Sequence, residues 1–203
     1  KALEKFEKAI EINPDNQDIV VDYGKTLAKY EKNQEAVDVF NKALSIDSTN
    51  ADAHCALADT YMKDKEYDKA ILEYQKASQL VPDNESVLIK LGNAYKAKSE
   101  TKNALNMYQK VIFKNLKNTD AMFNAGLCYA ELNDNNNAIK SFKNVIAIDP
   151  NYAYAYYALG MAYENEKNYP ESIANYEKFM TLTDDNETKA QVKNQIEYLK
   201  NKK

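Results

Sequence analysis

The chain contains no tryptophan and no arginine. Without arginine there is no planar guanidinium fork to grip phosphate or carboxylate in two bonds, which argues against nucleic-acid and phosphopeptide partners. All 27 basic residues are lysine, outnumbered by 31 acidic ones, and the net charge of −4 leaves no electrostatic footprint for a phosphate backbone. Histidine occurs once, at His54, so no pair of imidazoles exists for a metal or a proton relay. Cysteine occurs twice, at Cys55 and Cys128, far apart in the chain, so no disulfide is expected and a reducing compartment fits. No apolar run approaches the roughly 20 residues that span a bilayer, and no signal peptide is visible, so no membrane contact is expected within these residues and a cytoplasmic setting is favoured. The chain does not open on methionine, which leaves room for an upstream signal or anchor. Glycine and proline are scarce, four of each, and their placement is informative.

All four glycines, Gly24, Gly92, Gly126 and Gly160, share one register of a 34-residue period, with Ala58 in the remaining slot. Glycine inside a helix costs about 1 kcal/mol relative to alanine, so its recurrence implies a helix crossing too tight for a larger side chain. Pro14, Pro82 and Pro150 keep the same beat, in a series completed by Ser48, Leu116 and Asp184. Small residues recur at Ala2, Ala36, Ala70, Ala104, Ala138 and Ser172, and four positions on a ring always follows: Phe6, Phe40, Tyr74, Tyr108, Phe142 and Tyr176. A large residue closes each preceding segment at Leu27, Tyr61, Tyr95, Tyr129 and Tyr163. Such a period marks a stacked repeat array, in which each repeat buries its apolar face only against its neighbours.

Within residues 51–84, Ala53, Leu57 and Tyr61 form one apolar stripe, and Ala70, Tyr74, Ala77 and Leu80 a second. The spacing predicts two helices of about 13 residues, separated by the polar Asp64-Lys65-Glu66 and ended by proline. The combination of Leu-Gly, tyrosine, alanine, ring, alanine and proline, with close matches at Leu91-Gly92-Asn93-Ala94-Tyr95 and Leu159-Gly160-Met161-Ala162-Tyr163, resembles the tetratricopeptide repeat. The family's early tryptophan is replaced by Val20, His54, Leu88, Met122 and Tyr156. The resemblance implies an all-α, right-handed superhelical solenoid of antiparallel helix pairs. It divides the chain into a trailing half-repeat at 1–16, five repeats at 17–50, 51–84, 85–118, 119–152 and 153–186, and a capping helix at 187–203. Asp184 and Glu187 are expected to form a capping box there. Leu3, Phe6 and Ile10 of the half-repeat are expected to lack part of their cover and to offer a route to self-association.

No catalytic constellation, metal site or cofactor motif emerges, and no enzyme activity is expected. His54 occupies the register of the missing tryptophan and reads as a packing residue, with Cys55 pointing about 100° away round the helix. The run Asn133-Asp134-Asn135-Asn136-Asn137 lacks the glycine and closing glutamate of a calcium loop and reads as a turn in which asparagine takes the left-handed conformation.

In arrays of the family it resembles, the first helices of successive repeats line a concave groove that holds ligands. Carrying the second, fifth, sixth, ninth and twelfth residue of each repeat onto this sequence gives Ile89, Asn93, Phe123, Asn124, Leu127, Tyr154, Tyr157 and Met161 as candidate peptide-binding residues. The family's carboxylate clamp is not expected, because Ile89, Tyr154 and Ala158 stand at its cationic places. The amides of Asn93 and Asn124 would instead hold a peptide backbone, with rings and methionine giving apolar contact. The function expected is a non-catalytic scaffold that binds an extended peptide or partner helix of a protein. Its alternatives are a self-associating scaffold and the regulatory arm of a larger enzyme.

Overall fold

The computed structural model describes residues 2–202. Among these residues stand twelve α-helices and no strand: α1 (Ala2–Ile12), α2 (Gln17–Lys29), α3 (Asn33–Ile46), α4 (Ala51–Lys63), α5 (Tyr67–Leu80), α6 (Glu85–Ala97), α7 (Thr101–Lys114), α8 (Thr119–Glu131), α9 (Asn135–Ile148), α10 (Ala153–Asn165), α11 (Tyr169–Leu182) and α12 (Asn186–Lys200). They fall into two compact units, one ending at Glu100 and one beginning at Thr101.

In the amino-terminal unit α2 pairs with α3 and α4 with α5, while α3 also packs on α4 and α5 on α6. In the carboxy-terminal unit α8 pairs with α9 and α10 with α11, while α7 packs on α8, α9 on α10 and α11 on α12. Connections this short bring consecutive helices back antiparallel. Both units therefore have the architecture of an all-α solenoid of stacked helix pairs.

The sequence registers become the core. Ala36, Ala70, Ala104, Ala138 and Ser172 are fully buried, and so, to within a few per cent, are Phe40, Tyr74, Tyr108, Phe142 and Tyr176. Ser172, the one polar member of the small register, donates its hydroxyl to the Gly160 carbonyl at 2.8 Å. The glycines sit against these rings. A Cβ on Gly24, Gly126 or Gly160 would stand 2.6 Å from Phe40, 2.5 Å from Phe142 and 2.6 Å from Tyr176, closer than real carbon contacts allow.

Helix ends repeat as faithfully as the core. Asn16, Asn50, Asn84 and Asn118 each accept the backbone N–H three residues on, capping α2, α4, α6 and α8. At the start of α10 the register holds Tyr152, which makes no side-chain cap and instead stacks its ring 5.2 Å from Phe123. Between the two helices of each pair the chain turns through a left-handed residue at Glu31, Lys65, Ser99, Asn133 and Lys167. The following N–H reaches back to the carbonyl of Leu27, Tyr61, Tyr95, Tyr129 or Tyr163, at 2.8–3.0 Å. This is the 6→1 bond of a Schellman turn.

One expectation at a helix end is corrected. The cap of α12 is Asp185, not Asp184: its Oδ1 accepts the N–H groups of Glu187 and Thr188, and its Oδ2 accepts the Thr188 hydroxyl at 2.5 Å. The Asp185 N–H, which the capping box would have passed to Glu187, is accepted by the Thr183 hydroxyl at 3.1 Å. At the other end of the described chain, no residue of α1 is fully buried. Leu3 and Ile10 are half-buried against the first core, and Phe6 lies 6.1 Å from the Tyr23 ring.

Candidate functional site

The first helices α8 and α10 are neighbours in the carboxy-terminal unit. Each gives one side to its partner helix and leaves another side open. On α10, Ala155, Ala158, Leu159 and Ala162 are buried, whereas Tyr154 and Met161 remain 47% and 46% exposed and Tyr157 is half-buried between them. These three residues fall at spacings of three and four, which sets them on one face of the helix.

The expected site residues do not stand alike. Phe123, Leu127 and Tyr157 are half-buried because they also complete the core. The Phe123 ring lies 5.7 Å from Phe142, and the Tyr157 ring lies 5.9 Å from Tyr176 and 5.2 Å from Phe179, in tilted pairs. Such pairs contribute about 0.5–1.5 kcal/mol beyond the area they bury, so these rings serve packing as well as surface. Tyr154 is more open, with its ring 5.8 Å from Phe179 and its hydroxyl donating to Asp185 at 3.4 Å. Half-buried Asn124 donates its amide N–H to the Asp120 carbonyl at 2.9 Å, so its remaining acceptor is the amide oxygen. In the amino-terminal unit, Ile89 is half-buried and Asn93 exposed on α6. Leu159 is buried, while Tyr156 and Tyr163 are half-buried, the first donating to the Pro150 carbonyl and the second under the Lys143 ammonium.

The corresponding faces of α2, α4 and α6 are charged. Lys25 pairs with Asp52 at 2.5 Å and Lys90 with Asp59 at 2.6 Å, while Lys63 donates to the Ala28 carbonyl at 2.9 Å. Tyr74 donates its hydroxyl to the other oxygen of Asp59. Cys55 lies among these groups, and burial pushes its thiol up to about 11, away from the thiolate that a nucleophile needs.

His54 does more than pack. It is buried with its Nδ1 2.6 Å from Glu73 Oε2 and its Nε2 3.2 Å from the Ser48 carbonyl, and Lys76 reaches the second Glu73 oxygen at 2.8 Å. Glu73 was not foreseen from the sequence. Among the described residues no three His, Cys, Asp or Glu side chains come together as metal ligands, and no helix is long and apolar enough to cross a membrane. Cys55 and Cys128 form no disulfide.

Stacked helix pairs with an open first-helix face define a repeat scaffold for protein interaction. Family models described as TPR repeat match residues 24–65, 59–99 and 126–166, and one described as tetratricopeptide repeat matches residues 153–186. These matches span more than half of the chain, which belongs to the tetratricopeptide repeat family. Among solved structures, it is similar to the crystal structure of YrrB, described as a TPR protein with an unusual peptide-binding site, with 26% identity over 95% of this chain and 99% of that one and a TM-score of 0.79. It is also similar to MamA, with 26% identity over 83% of this chain and 96% of that one and a TM-score of 0.75. The likeness to pilF of Pseudomonas aeruginosa, at 20% identity over 95% of this chain and 83% of that one with a TM-score of 0.72, speaks to the fold alone. No curated protein matches the chain.

Proposed function

We propose that the chain is a non-catalytic interaction module whose carboxy-terminal unit holds an extended peptide of a partner protein along the open face of α8 and α10. The observation that carries this reading is the pair Tyr154 and Met161, nearly half exposed on a helix whose Ala155, Ala158, Leu159 and Ala162 are buried. Exposed rings and thioethers flanked by hydrogen-bonding groups give large contact area at small ordering cost and accept varied shapes. Phe123, Leu127 and Tyr157 form the floor of the face, and the Asn124 amide oxygen accepts from the peptide backbone. Ile89 and Asn93 offer the same register on α6. The YrrB structure, described as carrying a peptide-binding site, supports the general assignment. A micromolar complex, worth about 8 kcal/mol, is the expected scale.

The test is selection from a displayed library of random peptides on the full chain, followed by measurement of the selected peptides on Tyr154→Ala/Met161→Ala. The double variant should bind at least tenfold more weakly and melt with the parent protein. Phe123 and Tyr157 are poorer probes, because their removal also opens the core. Failure of any peptide to enrich over bare matrix would overturn the assignment.

A further inference from the structure

Beside Tyr157 and Met161 a cavity of about 340 Å³ opens between α10, α11 and α12. Its walls include Tyr176, Gln191, Gln195 and a single carboxylate, Glu164. Both oxygens of that carboxylate are fixed by neutral donors: the Tyr176 hydroxyl donates to Oε2 at 3.1 Å and the Gln195 amide to Oε1 at 2.6 Å. Burial, and then the adjacent carboxylate, push the Tyr176 phenol upward, so it remains a neutral donor. No lysine among the described residues pairs with Glu164. Lys202, which feels its charge, lies instead over the Tyr198 ring at 4.6 Å and the Tyr169 ring at 6.0 Å.

The amino-terminal unit supplies an internal comparison. There two carboxylates of α4, Asp52 and Asp59, each carry a lysine of their own. Asp59 is neutralised by Lys90 of the following first helix, α6, and Asp52 by Lys25 of the preceding one, α2. At Glu164 the next helix is α12, and it brings glutamine. The cavity is thus left with one net negative charge and otherwise only amides, phenols and apolar groups.

We propose that this cavity receives a basic side chain, arginine or lysine, of the bound peptide. The inference rests on the peptide-binding reading above and names the chemistry of one peptide position. Each Glu164 oxygen already accepts one bond and keeps a lone pair for a second, which suits an incoming N–H donor. A charge-assisted bond to a carboxylate that is half-buried and already oriented is stronger than one in open water. The half-buried Tyr157 ring, tilted 46° to Tyr176, offers a π face to the cation, and the exposed Met161 thioether covers the aliphatic stem. A carboxylate-bearing side chain is repelled from the same cavity.

The experiment is library selection on the full chain in parallel with Glu164→Gln, a substitution that keeps the shape and one acceptor oxygen. Peptides enriched on the parent protein should carry arginine or lysine at one fixed position. The consensus peptide should lose at least tenfold in affinity on Glu164→Gln. The same peptide with norleucine at that position should lose a similar factor on the parent protein and no more on the variant. This arm does not depend on how the variant folds. Enriched peptides without a basic position, or a consensus peptide indifferent both to norleucine and to Glu164→Gln, would overturn the inference while leaving peptide binding intact. Failure of any peptide to enrich on the parent protein would instead remove the peptide-binding reading, and this inference with it.

Discussion

Replacing Gly126 by alanine sets two known effects against each other. Alanine is favoured over glycine in a helix by about 1 kcal/mol, so on propensity alone the variant is stabilised. The new Cβ, however, would stand 2.5 Å from Phe142 Cε1, 2.9 Å from Cδ1 and 3.0 Å from Cζ, and Phe142 is almost fully buried. Carbon pairs settle at about 3.5–4.0 Å, so the ring must retreat by about 1 Å into a close-packed interior. Overpacking of this kind costs about 1–3 kcal/mol. The net expectation is a loss of about 0–2 kcal/mol, and Gly126→Leu should lose more. Urea denaturation followed by circular dichroism measures it. Adding Phe142→Leu makes a double-mutant cycle: the methyl then partly fills the space the ring leaves, so the two substitutions should couple favourably by about 1 kcal/mol. A Gly126→Ala protein stabilised by the full propensity gain, with no coupling to Phe142→Leu, would refute the claim that ring contact fixes the glycine register.

Three further outcomes follow from local geometry. Lys65 and Lys167 hold left-handed turns at φ 59°; glycine at either relieves about 1–2 kcal/mol of strain and costs about 0.5–1 kcal/mol in chain entropy, so each variant should gain about 0–1.5 kcal/mol by urea denaturation, and a loss would contradict the strain argument. With its thiol near 11, Cys55 should be thiolate in only about one molecule per thousand at pH 8, so Ellman's reagent should label it about 100-fold more slowly in the native protein than in urea, and equal rates would contradict the burial argument. The Asp185 carboxyl is held below its usual range by Thr188, through its hydroxyl and then its backbone N–H. A depressed folded value means that the carboxylate stabilises the fold above the unfolded value of about 4 and loses that effect as pH falls through the folded one. The melting difference between the parent and Asp185→Asn should therefore shrink between pH 6 and pH 2, and a constant difference would show that the charge is not what matters.

The period was legible because it records packing demands that recur along the chain: a glycine under a ring at Gly24, Gly126 and Gly160, a small residue beside it, a large residue at the turn. The turn conformation was legible only at Asn133. Glu31, Lys65, Ser99 and Lys167 are ordinary residues held in the left-handed region by the backbone bond back to the preceding large residue, a demand that leaves no compositional trace. The asparagine caps were present in the sequence at the same interval, and reading them would have flagged Tyr152 as the departure that stacks on Phe123. The expected α12 cap missed by one residue because Asp184 and Asp185 are chemically equivalent and only the chain path distinguishes them.

The candidate site was legible in part for a related reason. Phe123 and Tyr157 occupy the fifth place of their repeats, at the boundary between the open face and the core, and periodicity cannot say how much of a boundary ring is covered. Glu164 falls at a place the sequence mapping included, yet its significance lies in the lysine that α12 does not supply. Phe113 and Leu116 stand 87% and 71% exposed on another side of the same unit, in registers that other repeats fill with residues such as Ser45, Gln79, Pro82 and Pro150.

The central claim is that peptides are held on the open first-helix face of the carboxy-terminal unit. Backbone amide chemical-shift mapping of the full chain, titrated with a library-selected peptide, tests it most directly. The account predicts that the largest shifts fall on Asn124, Tyr154, Tyr157 and Met161, with Phe113 and Leu116 unmoved. Shifts centred on Phe113 and Leu116, with α10 silent, would contradict it.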